Sequence, residues 1–124
     1  MSAETDRLQT GNLTRSIRIP TGSVTLDGEL AVPENAEGLV IFAHGSGSSR
    51  HSPRNQFVAE QLRKAGLGTL LLDLLTPEEG REEAASAHLR FNIGLLTQRL
   101  ACAAHWVADE DEARHLRLGF FGSS

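Results

Sequence analysis

The stretch that decides the fold is LVIFAHGSGSS, residues 39–49, in which five apolar residues and His44 precede a loop of glycine and serine. A continuous apolar run of this kind is typical of a strand covered on both faces, as in a parallel sheet. Similar runs occur at Gly68 to Leu72 and at Leu116 to Phe121. We therefore predict three buried strands that belong to one sheet.

A helix is predicted between the first two of these strands. Ser52 is a favourable N-cap, Pro53 suits the first helical position, and Gly66 ends the apolar pattern. The apolar face expected for this helix consists of Val58, Leu62 and Ala65.

A longer helix is predicted before the third strand, because apolar residues recur there at three- and four-residue spacings. The stripe consists of Leu89, Ile93, Leu96, Leu100, Ala103 and Val107. The preceding segment, Thr76 to Ala87, is rich in Glu and contains Pro77 and Gly80. We expect it to be an exposed connection whose end is already helical and whose negative charges are solvated.

The first part of the chain shows the period-two pattern of half-buried antiparallel strands. The apolar positions are Ile17, Ile19, Val24, Leu26, Leu30 and Val32, and they surround a turn predicted at Pro20-Thr21-Gly22. Residues 1–14 are polar and predict a flexible tail, so that the domain begins at residue 15. The element order predicts an α/β fold, with a mostly parallel sheet, an antiparallel start and helices on both faces.

Composition narrows the classes of partner. The formal net charge is −4 and the basic residues are scattered, which argues against nucleic acid and against an anionic membrane surface. No apolar run approaches the roughly 20 residues that cross a bilayer. The single cysteine, Cys102, excludes an internal disulfide and favours a reducing compartment. Because Glu4 and Asp6 fit neither a secretory signal nor a transit peptide, we expect a cytoplasmic protein.

Two loops follow the predicted buried strands at the edge where such sheets bind ligands. One of them, Gly122-Ser123-Ser124, matches the first three positions of Gly-x-Ser-x-Gly, the nucleophile elbow. The sharp strand-to-helix turn of the elbow holds the serine hydroxyl out into a cleft. Ser124 is therefore the candidate nucleophile, although Gly-x-Ser alone also fits a polar turn at a strand end.

The other loop supplies a candidate for the second role that acyl transfer needs. Negative charge builds on the former carbonyl oxygen, and fixed N–H donors must point at that oxygen. The backbone N–H of Ser46 is the natural donor, because Gly45 and Gly47 let the chain approach a substrate closely. His44 is interpreted as a hydrogen-bonded brace for this loop rather than as a base.

Leu39 to Asn55 and Leu118 to Ser124 resemble the dienelactone hydrolase family of α/β-hydrolases, and the resemblance extends over residues 15–124. It is strongest to a bacterial branch with serine in place of the cysteine nucleophile, whose members are sometimes fused to a phosphoribosyltransferase domain. The resemblance implies an α/β-hydrolase fold and hydrolysis of a small carboxylic ester or lactone. It implies attack by Ser124, Ser46 N–H as an oxyanion donor, and no metal or organic cofactor.

The sequence departs from the family pattern in its acid and base. In this fold the nucleophile, acid and base follow in that chain order, and all five histidines precede Ser124. None of them matches the base: His44, His51, His88, His105 and His115. We therefore expect the amino-terminal part of one α/β-hydrolase domain, truncated at the elbow, inactive alone and partnered by the remainder of the same polypeptide.

Two alternatives stay open. The segment Gly45 to Arg50 is glycine-rich and leads toward a helix start, so its amides suit a phosphate or nucleotide. It lacks the Gly-Lys of a P-loop and the third glycine of a dinucleotide fingerprint. Arg50 and Arg54 are also able to bind a substrate carboxylate. The other alternative is a non-catalytic protein that keeps the α/β-hydrolase fold.

Overall fold

The computed structural model describes residues 12–44, 50–86 and 93–123, which form one five-stranded sheet with helices. The elements are β1 Asn12–Thr21, β2 Val24–Pro33, β3 Gly38–His44, α1 Pro53–Lys64, β4 Gly68–Leu72, α2 Pro77–Ser86, α3 Ile93–Ala108 and β5 Arg117–Ser123. The strand order is β1-β2-β4-β3-β5. Only β2 opposes the direction of the other described strands, so the predicted mostly parallel sheet with an antiparallel start is confirmed.

The hairpin at the start pairs Asn12 with Pro33 and Thr21 with Val24. Gly22 lies in the tight turn with φ 63°, a conformation that glycine adopts at no steric cost. The turn thus comes slightly later than predicted. β1 also begins at Asn12, inside the stretch expected to be a tail, because its first residues continue the ladder with β2.

Helix α1 begins and ends as predicted. The Ser52 side chain accepts a hydrogen bond from the backbone N–H of Asn55 at 3.4 Å, and Pro53 occupies the first helical turn. After the last turn, Gly66 has φ 94°, where a side chain would be strained. These ends place α1 between the carboxyl end of β3 and the amino end of β4.

The core has two parts because side chains of β3 and β4 alternate between the faces of the sheet. On one face, Ala59 of α1 packs with Phe42 and Leu71. On the other, Ala103 and Val107 of α3 pack in a cluster that includes Ile41, Leu70 and Leu72. Helices on both faces are confirmed. Ala65, expected on the apolar face of α1, is exposed instead, because the buried face passes through Asn55 and Ala59.

Helix α2 replaces the exposed connection expected between Thr76 and Ala87. Its first turn is a capping box: the Glu79 N–H donates to Thr76 Oγ1 at 3.1 Å, and the Thr76 N–H donates to Glu79 Oε1 at 2.9 Å. Thr-Pro-Glu-Glu at residues 76–79 carries this signature in the sequence, with proline at the first helical position. The expectation of solvated charges is wrong for Glu79, which binds Arg99 of α3.

Candidate functional site

The carboxyl ends of β3 and β5 lie side by side. The two strands pair in parallel from Gly38 opposite Arg117 to His44 opposite Ser123. Leu39 to Ala43 thus lie beside Leu118 to Gly122 in neighbouring strands of the sheet. Because the ladder reaches His44 and Ser123, the chain leaves both strands at the same edge of the sheet.

The two residues predicted to carry the chemistry, Ser46 and Ser124, lie outside the described residues. Their neighbours in the chain are described: Ser124 follows Ser123 directly, and Ser46 comes two residues after His44. His44 and Ser123 are partners in the ladder. The structure thus brings together the strand ends from which both predicted site residues follow.

An aromatic pair helps to fix this junction on the α1 face of the sheet. The rings of Phe42 and Phe121 lie 5.1 Å apart between centroids, with an interplanar angle of 51°. Tilted pairs at this separation stabilise a contact beyond the burial of apolar area. Phe42 is fully buried, so β5 is anchored to the core through Phe121 close to its carboxyl end.

Asp73, directly after β4, binds Arg50 at the same edge. The Arg50 backbone N–H donates to Asp73 Oδ1 at 2.6 Å, and the Arg50 guanidinium pairs with Asp73 Oδ2. Sequence reasoning considered Arg50 for a substrate carboxylate, but a carboxylate of the chain already neutralises it, which disfavours that role. Sequence reasoning excludes Asp73 as the catalytic acid, because it precedes Ser124, and predicts no other role for it at this edge.

A second arginine–carboxylate pair joins α3 to the segment that follows β4. Arg99, only 5% exposed, donates through Nη1 to the Leu74 carbonyl oxygen at 2.9 Å and through Nη2 to Glu79 Oε2 at 2.8 Å. The hydrogen bond from Arg99 lowers the pKa of Glu79 from 4.5 to about 2, against the opposing effect of burial. This pair fixes α2 beside the carboxyl end of β4, and sequence reasoning missed it.

No candidate metal site and no candidate membrane-spanning helix occurs in the part of the chain that the structure describes. Within it, no three His, Cys, Asp or Glu side chains gather closely enough to hold a metal ion. The helices at residues 53–64, 77–86 and 93–108 fall short of the length and apolarity needed to cross a bilayer.

Solved structures of hydrolases share this architecture. No protein-family model matches the chain. A dienelactone hydrolase from Anabaena variabilis is 49% identical, with a TM-score of 0.87 over 92% of this chain and 53% of that one. A cold-adapted esterase from an Arctic intertidal metagenomic library is 16% identical, with a TM-score of 0.69 over 90% of this chain and 50% of that one. The latter likeness concerns the fold alone.

Two Mycobacterium tuberculosis proteins that carry the name of a phosphoribosyl transferase are 49% identical to the chain over 108 residues. The match covers 87% of this chain and 24% of each of those proteins. The chain therefore spans about a quarter of the length of these curated relatives and about half of the solved hydrolase.

The mixed sheet, with helices on both faces and β5 beside β3, is a partial α/β-hydrolase fold. Within that class, the predicted resemblance to the dienelactone hydrolase family is confirmed by the solved dienelactone hydrolase, which is 49% identical over 92% of this chain.

Proposed function

We propose that the protein containing this chain is a serine hydrolase that cleaves carboxylic esters or lactones through an acyl-enzyme. Ser124 is the nucleophile in this proposal, and the Ser46 backbone N–H is one oxyanion donor. The observation that carries it is the ladder position of His44 opposite Ser123. Because two loops leave neighbouring strand ends, a nucleophile on one and a donor on the other can face the same carbonyl group.

The proposed reaction has two steps. The Ser124 hydroxyl oxygen bonds to the carbonyl carbon while its proton passes to a base, and the Ser46 N–H stabilises the negative charge on the carbonyl oxygen. Collapse of this intermediate breaks the ester bond, and the base returns its proton to the departing alkoxide. Water then attacks the acyl-enzyme by the same route, which releases the acid and restores the serine.

The base is not assigned to a histidine of this chain. In α/β-hydrolases the base follows the nucleophile in the chain, whereas the histidines here precede Ser124. His115, for example, is exposed and comes just before β5, at the opposite edge of the sheet from Ser123. A serine without a base is a poor nucleophile, so the isolated 124-residue chain is inactive in this proposal.

The mycobacterial relatives carry the name of a phosphoribosyl transferase, an activity that differs from the proposed ester hydrolysis. The chain matches 24% of each of them, whereas it matches 53% of a solved dienelactone hydrolase. We propose that phosphoribosyl transfer belongs to the part of those relatives that this chain does not match. Calorimetric titration of the 124-residue chain with phosphoribosyl pyrophosphate should then give no binding heat. Saturable binding would instead favour the phosphate-binding alternative.

We also propose that the protein is cytoplasmic, as its first residues lead us to expect.

The hydrolase proposal is tested with the complete gene product and a fluorophosphonate probe. Wild type should be labelled and should hydrolyse a p-nitrophenyl ester. Ser124→Ala should abolish labelling and lower kcat by roughly 10⁴-fold or more, as loss of a nucleophile does. Ser123→Ala is the matched control and should keep both activities.

Each other outcome has a defined meaning. A label on Ser123 shows that the elbow has been assigned one residue out of register. A folded wild-type protein that takes no label and cleaves no ester contradicts the hydrolase proposal and supports the non-catalytic alternative.

A further inference from the structure

The five residues 45–49, which include the proposed oxyanion donor Ser46, join two residues that the structure describes. His44, before them, is fixed as the last residue of β3 in its ladder with β5. Arg50, after them, lies outside any strand or helix and makes polar contacts with Asp73 and Gln56. The contacts at Arg50 therefore decide where this end of the loop is anchored.

Asp73 provides the strongest of these contacts. One carboxylate oxygen accepts the Arg50 backbone N–H at 2.6 Å while the other pairs with the Arg50 guanidinium, so both the main chain and the side chain are held. The two side chains are 24% and 18% exposed, and partial burial strengthens a charge-assisted contact. A single carboxylate thus defines both the position and the orientation of Arg50.

The sheet in turn holds Asp73. Its backbone N–H donates to the carbonyl oxygen of Asp27 in β2 at 2.9 Å, which extends the β2–β4 ladder past Leu72. From the other side, Gln56 Nε2 of α1 donates to the Arg50 carbonyl oxygen at 2.6 Å. Arg50 is therefore anchored to β4 through its N–H and to α1 through its carbonyl group.

We propose that Asp73 is a positioning residue of the active site, because it fixes Arg50, the first described residue after the loop that carries the proposed donor Ser46. This inference rests on the proposed hydrolase function. An oxyanion donor acts mainly in the transition state, and a displacement of about 1 Å from the productive geometry costs on the order of 10²-fold in rate. Loss of the anchor should therefore lower kcat and leave KM nearly unchanged.

The test compares three variants of the complete gene product. Asp73→Ala removes both contacts and should lower kcat by roughly 10- to 100-fold, with KM within about 3-fold of wild type. Asp73→Asn keeps an oxygen for the Arg50 N–H but loses the ion pair, and Arg50→Ala keeps the backbone contact. Both variants should have a kcat between that of wild type and that of Asp73→Ala. Affinity for a trifluoromethyl ketone, a transition-state analogue, should fall in parallel with kcat/KM.

Glu112→Gln is the matched control. Glu112 accepts a hydrogen bond from Arg15 Nε at 2.9 Å in another partly buried ion pair, and it precedes β5, at the opposite edge of the sheet. This variant should lose stability without a change in kcat. If Asp73→Ala also keeps its kcat, the positioning role is wrong even though Ser124 is still labelled.

Two further outcomes separate the inference from the function on which it rests. A wild-type protein that takes no label overturns the hydrolase proposal and the positioning role together. If Asp73→Ala does not fold, Asp73→Asn and Arg50→Ala decide: a wild-type kcat in both contradicts the positioning role, and a reduced kcat with unchanged KM supports it.

Discussion

Glu79 shows how one side chain can make the stability of this fold depend on pH. Its pKa is about 2 in the folded chain, mainly because Arg99 donates hydrogen bonds to it, against an ordinary value of 4.5. A folded pKa below the unfolded one stabilises the protein above the unfolded value, and the benefit disappears as the pH falls through the folded value. The ion pair with Arg99 therefore stabilises the folded chain at neutral pH.

We therefore predict that thermal stability falls as the pH is lowered from about 4.5 to about 2, and that Glu79→Gln removes part of this dependence. The measurement is the difference in Tm between variant and wild type at each pH. The difference should be largest at neutral pH and should shrink toward pH 2. Glu78→Gln, at an exposed position of the same helical turn, is the control. A difference that stays constant with pH would contradict the assignment.

At the scale of elements, the sequence predicted what depends on local pattern. β4 has the predicted bounds, and α1 begins at Pro53 because its N-cap and proline are local signals. Only the end of the α2 segment was predicted to be helical, because the abundance of Glu was interpreted as solvent exposure. The capping box at Thr76 and the partner Arg99 stabilise a helix from Pro77 onward. The ion pair itself joins residues far apart in the chain, and no local pattern contains that information.

Gly28 marks a contact between elements that sequence periodicity also cannot show. It lies in β2 opposite Leu72 of β4, and a Cβ atom there would approach the Leu71 carbonyl oxygen to 3.0 Å and Leu70 Cδ1 to 3.3 Å. These leucines are fully buried, so they have little freedom to move. The β2–β4 pairing therefore requires a residue without a side chain at this position.

We predict that Gly28→Ala lowers the free energy of unfolding by about 1–3 kcal/mol, the usual cost of overpacking. Gly119→Ala is the matched control, because Gly119 also lies in a strand and a Cβ atom there meets no atom within 4 Å. Urea unfolding followed by circular dichroism gives both values. Equal stability of the two variants would show that β2 and β4 can separate without cost.

At the scale of the whole molecule, the sequence predicted which strand ends form the candidate site but not the ion pairs that stabilise this edge of the sheet. The adjacency of β3 and β5 is what the resemblance to α/β-hydrolases implies, whereas the position of the site beyond the carboxyl ends of the strands follows from a general rule for α/β sheets. Two ion pairs were not predictable from the sequence, because each depends on how separate elements pack. They join Asp73 to Arg50 and Glu79 to Arg99. Rules of topology thus identify the edge of the sheet, and only coordinates identify the side chains that stabilise it.

β5 is one of the two edge strands of the described sheet. Among the described strands it pairs only with β3, so one of its edges is unpaired. The sequence predicted a strand covered on both faces, but Leu118 and Phe120 are 37% and 55% exposed. They stand opposite Leu39 and Ile41, on the α3 face of the sheet. An unpaired strand edge beside exposed apolar side chains favours association with other chains.

We therefore predict that the isolated 124-residue chain self-associates at micromolar concentration and that Phe120→Ser shifts it toward the monomer. Light scattering coupled to gel filtration measures both effects. Phe57→Ser is the matched control: Phe57 is 61% exposed, but it lies on α1, whose backbone hydrogen bonds are made within the helix, so its loss should not change association. A wild-type chain that is monomeric and unfolds in one sharp transition would show that β5 is stable as an edge strand.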